Sequence, residues 1–212
     1  RLGEMLEARR QEMIDTLVLF GCDKNRAIKG VDVSVDRLIY YAGWADKYEQ
    51  VLGSVNPVAS PHFNFTVTEP MGVVGVIAPD RPPLLPLISL IAPIIVSGNT
   101  VVALASEKMP YPAILFGEML ATSDLPGGVV NILTGFRKEL VPTFATHAHL
   151  RAISAVVDQE ERKTIRLGAA GSVKRVHFAE GSEADWLGDG AQSVYAIRGF
   201  LEFKTTWHPV GA

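Results

Sequence analysis

Cysteine is almost missing from this sequence: 212 residues contain one, Cys22. A single thiol excludes an internal disulfide framework and suits a reducing compartment, so a cytoplasmic location is expected. Charge of one sign is not in excess either. With 20 basic and 23 acidic residues the formal charge is −3. The basic pairs Arg9-Arg10, Arg137-Lys138 and Lys174-Arg175 alternate with acids and read as solvated faces, so no nucleic-acid partner is expected. No apolar run reaches the ~20 residues of a membrane span. The most apolar stretch, Leu84 to Val96, also carries Pro86 and Pro93. No signal peptide opens the chain, and its first residue is arginine, which reads as a piece of a longer protein. Neither GxGxxG nor GxxxxGK[S/T] occurs, which removes the ordinary nucleotide signatures. His147 and His149 lack a third ligand at metal spacing, and Asp185, Asp189 and Gly190 lack the ordered acids of a calcium loop, so no metal is expected. Cys22 follows Ile14 and Val18 at helical spacing with no histidine near in sequence. It reads as small apolar filler rather than a nucleophile.

What is present describes a buried core: 48% hydrophobic residues and a mean hydropathy of +0.19. Apolar residues recur at helical spacing from Glu4 to Cys22 and from Val35 to Leu52, with Gly21, Asp23 and Gly30 marking the join. "SPHFNFTVTEP" then alternates, with Phe63, Phe65 and Val67 on one side and His62, Asn64, Thr66 and Thr68 on the other. From Met71 to about Phe178, Val/Ile-rich runs (Val73–Ile77, Thr100–Leu104, Val129–Leu133, Ala152–Val157, Val173–Phe178) alternate with helix-length segments near 84–97, 110–122, 137–147 and 159–170. Near-continuous apolar strands between helices predict an α/β fold, a Rossmann-like doubly wound parallel sheet covered on both faces. The turn "IAPDRPPLLPL" carries the first such strand into its helix, and Asp80 and Arg81 are expected to pair with each other or face solvent.

"AEGSEADWLGDGAQSV" has no periodicity and reads as a linker. The chain closes on a second alternating strand, "LEFKTTW", with Leu201, Phe203, Thr205 and Trp207 on one face. The predicted layout is N-terminal helices over 1–55, a flap strand over 56–70, the Rossmann-like unit over 71–180, a linker over 181–198 and a closing flap strand over 199–212. The two flap strands are expected to pair and protrude as a two-stranded oligomerisation flap.

"AGWADKYEQVLGSVNP", "EPMGVVGVIAP", "LLPLISLIAPIIVSGNTVVALASEKMPYPA" and "LPGGVVNILTG" together resemble the cofactor-binding half of the aldehyde dehydrogenase superfamily. The resemblance runs from about 36 to 178 and returns at "FLEFKTTW". It implies that a catalytic domain carrying the nucleophilic cysteine belongs between the last sheet strand and the closing strand. Only Glu180 to Gly199 lie there, against the ~50 residues or more that a domain needs. The resemblance also places Arg81 where the family has its oxyanion asparagine, and Leu104 where it has a lysine for the adenosine ribose. Arg137 falls where a small residue admits the cofactor, and "VVDQEERK" replaces a Gly-Ser/Thr turn with carboxylates that would repel a pyrophosphate. Ala179 takes the general-base position, with Glu180 a poor substitute one place away. Ser106 and Glu107 keep the family pattern and are the candidates for residual NAD or NADP contact; the plain alternative is that Glu107 caps or solvates the strand end.

This stripped pattern resembles the C-terminal pseudo-domain of aldehyde dehydrogenase family 16. It implies a pseudoenzyme domain with no catalytic residue and no bound cofactor expected. Its role would be assembly with an upstream catalytic, NAD-dependent aldehyde dehydrogenase module of the same polypeptide, with a second copy as homodimer, or with both. The candidate interface is Phe63, Phe65, Val67, Leu201, Phe203 and Trp207, joined by β-augmentation; the alternative is that both strands fold back on their own core. A regulatory module retaining NAD(P) is the other reading that the resemblance leaves open.

Overall fold

The computed structural model describes residues 1–179 and 183–211; Glu180 lies outside them. Four helices come first: α1 (Leu2–Ala8), α2 (Arg10–Leu19), α3 (Lys24–Ala42) and α4 (Tyr48–Leu52). The expected first helix is broken at Arg9, and α3 begins well before Val35. Asp23 explains that start, because its carboxylate accepts from the Arg26 N–H at 3.0 Å and caps the helix. Gly30 therefore lies inside α3 rather than at a join. A helical glycine costs only about 1 kcal/mol, and burial of Ala27, Val31, Val35 and Leu38 outweighs it at ~1.5–3 kcal/mol for each large apolar side chain.

After β1 (Ser54–Asn56) and β2 (His62–Pro70), the chain alternates β3 (Val73–Ile77), α5 (Leu85–Val96), β4 (Thr100–Leu104), α6 (Tyr111–Thr122), β5 (Val130–Leu133), α7 (Arg137–Thr146), β6 (Leu150–Ala155), α8 (Gln159–Ala170) and β7 (Arg175–Phe178). The last five strands form a parallel sheet in the order β5-β4-β3-β6-β7. Along β3 the side chains alternate between the two layers. Val74 and Val76 pack with α5, whereas Val73 and Ile77 join Val141 and Phe144 of α7 and Ile165 of α8. Burial on both faces is why these strands read as continuous apolar runs. From β3 the chain winds through β4 to β5 on one side and from β6 to β7 on the other. The crevice beyond the carboxyl ends of β3 and β6 is therefore the topological switch point, where open α/β sheets place ligands.

A separate antiparallel sheet has the order β1-β2-β8, with β8 spanning Leu201–Pro209. It has three strands rather than the expected two, since β1, at three residues, is too short to show alternation. Register decides the faces. Asn64 pairs with Trp207, Thr66 with Thr205, Thr68 with Phe203 and Pro70 with Leu201, while Phe63 and Phe65 lie opposite His208 and Thr206. Directly opposed residues share a face, so Phe63, Phe65 and Val67 lie on the face opposite Leu201, Phe203 and Trp207. Asn99 ties both strand roots to the parallel unit: its carbonyl accepts from the Gly72 N–H and its amide donates to the Phe200 carbonyl, each at 2.8 Å.

The stretch read as an aperiodic linker holds α9 (Glu183–Leu187), a 3-10 turn (Asp189–Ala191) and α10 (Val194–Arg198), with Trp186 and Ile197 buried. Arg37 of α3, 1% exposed, donates to the carbonyls of Ala191 (2.6 Å), Trp186 (3.1 Å) and Gly188 (3.4 Å) and to the Ser89 hydroxyl (3.2 Å). This guanidinium fastens the segment as a cap against α3 and α5. Its burial pushes its own pKa down.

Candidate functional site

The switch-point crevice, about 350 Å3, is lined by Pro79, Asp80, Glu107, Arg137, Val156, Val157, Asp158 and Glu161. Arg137, the first residue of α7, reaches across the strand ends. Its Nη1 donates to the Ala78 carbonyl just beyond β3 at 2.7 Å, and its Nη2 to the Val156 carbonyl just beyond β6 at 3.2 Å. Nε and Nη2 also hold the two Glu161 carboxylate oxygens at 2.9 and 2.8 Å. The two side chains are 13% and 21% exposed, so the pair is largely shielded and bidentate, the strong form of such contacts. Burial opposes the Arg137 charge, but Glu161 outweighs it and holds the guanidinium pKa above its ordinary value. Glu161 is placed by a capping box: its N–H donates to Asp158 at 2.8 Å and its carboxylate accepts from the Asp158 N–H at 3.3 Å.

Of the two expected outcomes for the turn, pairing or facing solvent, Asp80 takes neither, whereas Arg81 faces solvent. The Asp80 Oδ1 accepts from the N–H groups of Glu107 (3.0 Å) and Lys108 (3.3 Å) and from the Ser106 hydroxyl (3.2 Å). Burial would raise its pKa, but these donors, with Arg137 nearby, hold it below the usual carboxylate value. A carboxylate facing two free backbone N–H groups gains more than one beside a single solvated guanidinium, and Arg81 is exposed.

Ser106 and Glu107, the candidate cofactor contacts, are both committed inside the chain. Ser106 is buried; its hydroxyl also donates to the Asp80 carbonyl (3.1 Å) and accepts from the Met109 N–H (2.9 Å). Glu107 accepts from the Arg137 N–H at 2.7 Å, the first donor of α7. Leu104 is fully buried. The crevice thus offers acceptors and four carboxylates around one guanidinium already paired, an arrangement that does not fit a dinucleotide's pyrophosphate.

Cys22 is partly buried against the N-terminal core and borders a cavity of about 290 Å3 that Arg26, Arg81, Pro82 and Leu187 also line. Among the described residues no histidine lines that cavity. A larger cavity, about 830 Å3, lies between α5, the end of β7 and the cap, with Leu90, Phe178, Trp186 and Phe200 as its apolar walls and Ser154 and His177 as polar points. His147 and His149 are exposed neighbours with ring centroids 5.8 Å apart; among the described residues no cluster of three His, Cys, Asp or Glu is placed to hold a metal. Also among them, no helix is long and apolar enough to cross a membrane.

On the flap, Phe63, Val67, Phe203 and Trp207 are 45%, 43%, 40% and 58% exposed, whereas Leu201 is 0% exposed. Leu201 is thus corrected from interface to core: at the root of β8 it packs with the α5 and α3 side chains. The polar neighbours Asn64 and Thr68 are buried instead.

The sequence profile of the aldehyde dehydrogenase family matches residues 1–187. The chain belongs to that family. Retinal dehydrogenase 2 of Gallus gallus is 38% identical over 151 residues, covering 71% of this chain and 29% of that protein. PnpE from Pseudomonas sp. WBC-3 superposes with a TM-score of 0.80 at 26% identity, over 85% of this chain and 37% of that one. The NAD+ complex of an aldehyde dehydrogenase from Bacillus cereus does so with 0.78 at 26% identity, over 82% and 35%. The chain therefore spans only about a third of the length of such relatives. The family match includes the N-terminal helices, outside the 36–178 resemblance, and stops before β8. Asp80 and the carboxylates of "VVDQEERK" stand out in the sequence of this aldehyde dehydrogenase-family crevice, but their partners do not follow equally from it. Glu161 had a signal, the Asp158-x-x-Glu161 capping-box spacing; the Asp80 contacts, made 26 to 28 positions away, had none.

Proposed function

We propose that this chain is a non-catalytic aldehyde dehydrogenase-family domain that acts in assembly. Its flap docks on a catalytic module of the same polypeptide or on a second copy of the chain, and that module carries out the NAD-dependent oxidation of aldehydes. The observation that carries this is the outer edge of β8. The strand runs from Leu201 to Pro209, pairs with β2 on one side only among the described residues, and exposes every side chain from Phe203 onward. A long, apolar, unpaired edge is a template for another strand. Support for the non-catalytic part comes from the interval between Phe178 of β7 and Leu201 of β8, too short for an independent domain, and from the resemblance, which sets Ala179 and Arg81 against the family's reacting positions.

Sedimentation of the chain alone, and mixed with the catalytic module of its polypeptide, tests the reading. Phe203→Asp with Trp207→Asp is expected to weaken association at least tenfold, while unfolding stability changes by no more than about 0.5 kcal/mol per site, as for exposed positions. Wild-type chain that stays monomeric at high concentration in both mixtures would sink it.

A further inference from the structure

Three backbone positions around the crevice could receive a phosphate: the N–H groups of Glu107 and Lys108, the N–H of Arg137 opening α7, and the N–H of Glu161 in the first turn of α8. Helix starts and turns of this kind attract anions. Each already has a carboxylate from the chain itself. Asp80 takes the first, Glu107 the second at 2.7 Å and Asp158 the third at 2.8 Å. At the switch point between them, four acceptors converge on one guanidinium: the carbonyls of Ala78 and Val156 and both oxygens of Glu161. A pyrophosphate brings only acceptors, and acceptors cannot bind acceptors.

We propose that Arg137 is a built-in occupant of the crevice, closing it to dinucleotides, and that the site it fills recognises a guanidinium-type cation. The fork of the guanidinium matters, because two carbonyls and a bidentate carboxylate use its planar N–H groups in a way that a spherical ammonium cannot reproduce. The inference is independent of the assembly reading. It concerns the opposite end of the sheet, and its test does not measure association.

Calorimetric titration of the intact chain with millimolar NAD+ and NADP+ is expected to give no heat. Arg137→Ala is expected to lower the Tm by about 5 °C or more. In that variant 10 mM methylguanidinium restores a measurable part of the loss, tetramethylammonium does not, and NAD+ still gives no heat. Wild-type binding of NAD+ below millimolar that weakens tenfold in Arg137→Ala would overturn the proposal, since Arg137 would then be a phosphate ligand. Equal effects of the two cations would overturn the guanidinium part. If Arg137→Ala does not fold, Glu161→Gln serves instead: it keeps the side-chain size, is expected to lower the Tm, and must leave the NAD+ titration flat.

Discussion

The crevice at the carboxyl end of the parallel sheet and the outer edge of the flap use their polar groups in opposite ways. Around the crevice, exposed turns and helix starts are filled by the chain's own carboxylates, and Arg137 bridges the strand ends with four contacts. Along β8, among the described residues, no strand pairs on the side away from β2, and Phe203 and Trp207 are exposed there. The same fold has been satisfied from within at the place where α/β sheets take ligands and left unsatisfied at the place where sheets take strands. Unfilled hydrogen-bonding capacity, rather than the existence of a cleft, is therefore what the proposed docking of the flap rests on.

If the closed end is held by internal contacts, cutting them must cost folding stability there and nothing at the flap. The largest effect is expected in the cap, which is likewise held from within, at Arg37. Arg37→Ala strands the Trp186, Gly188 and Ala191 carbonyls and empties a buried site, for a loss of about 2–4 kcal/mol in denaturant unfolding. Arg37→Met, which keeps most of the volume, separates packing from hydrogen bonding. Hydrogen exchange should rise over 186–191 and stay unchanged over β2 and β8. Equal loosening of both regions would break the comparison, since the cap and flap would then be one cooperative unit.

Gly168 gives a smaller and sharper effect. A Cβ there would stand 2.6 Å from the Ala145 Cβ and 3.1 Å from its backbone carbon, so the missing side chain lets α8 approach α7. Those two helices carry Glu161 and Arg137. Gly168→Ala is therefore expected to cost about 1–3 kcal/mol as overpacking and to loosen the Arg137–Glu161 pair, again with flap exchange unchanged. An unaltered unfolding curve would show that the pair does not depend on the close approach.

Legibility in the sequence follows how local each cause is. The five parallel strands and the four helices between them could be read because burial on both faces leaves an apolar run that needs no partner to be recognised. Arg137 could be read as crowding a cofactor, but its reach to Ala78 and Val156 depends on which strands are neighbours, and that is a property of topology. The short α9 and α10 show no periodicity, and they hold because Arg37, far away in sequence, fastens them. Alternation likewise gives the faces of β2 and of β8 separately. Only the Asn64–Trp207 register reveals that their apolar rows lie on opposite sides, and only packing shows Leu201 leaving the surface for the core.

The smallest expected effect lies where the two regions join. His177 of β7 stacks edge-on against Phe200, with ring centroids 5.0 Å apart, and its Nε2 is 3.1 Å from the Gly199 carbonyl, in the turn that leads into β8. Burial holds its pKa below the ordinary 6.5; the Gly199 carbonyl works against that shift, and Arg175 adds to it. The unfolded chain therefore takes up this proton as pH falls below about 6.5, while the folded chain resists it. The stability His177 contributes is present above that pH and is lost as pH falls through the folded value. Urea midpoints measured from pH 7.5 down to 5.5 are expected to decline, and His177→Gln, which keeps a donor for Gly199, should flatten that decline. Because the Asn99 bonds to Gly72 and Phe200 survive the titration, exchange is expected to rise at 199 and 200 and to stop before the paired part of β8, which begins at Leu201. An increase that spread along β8 to Trp207 would mean that the flap is held by this histidine, not by Asn99 and its own register.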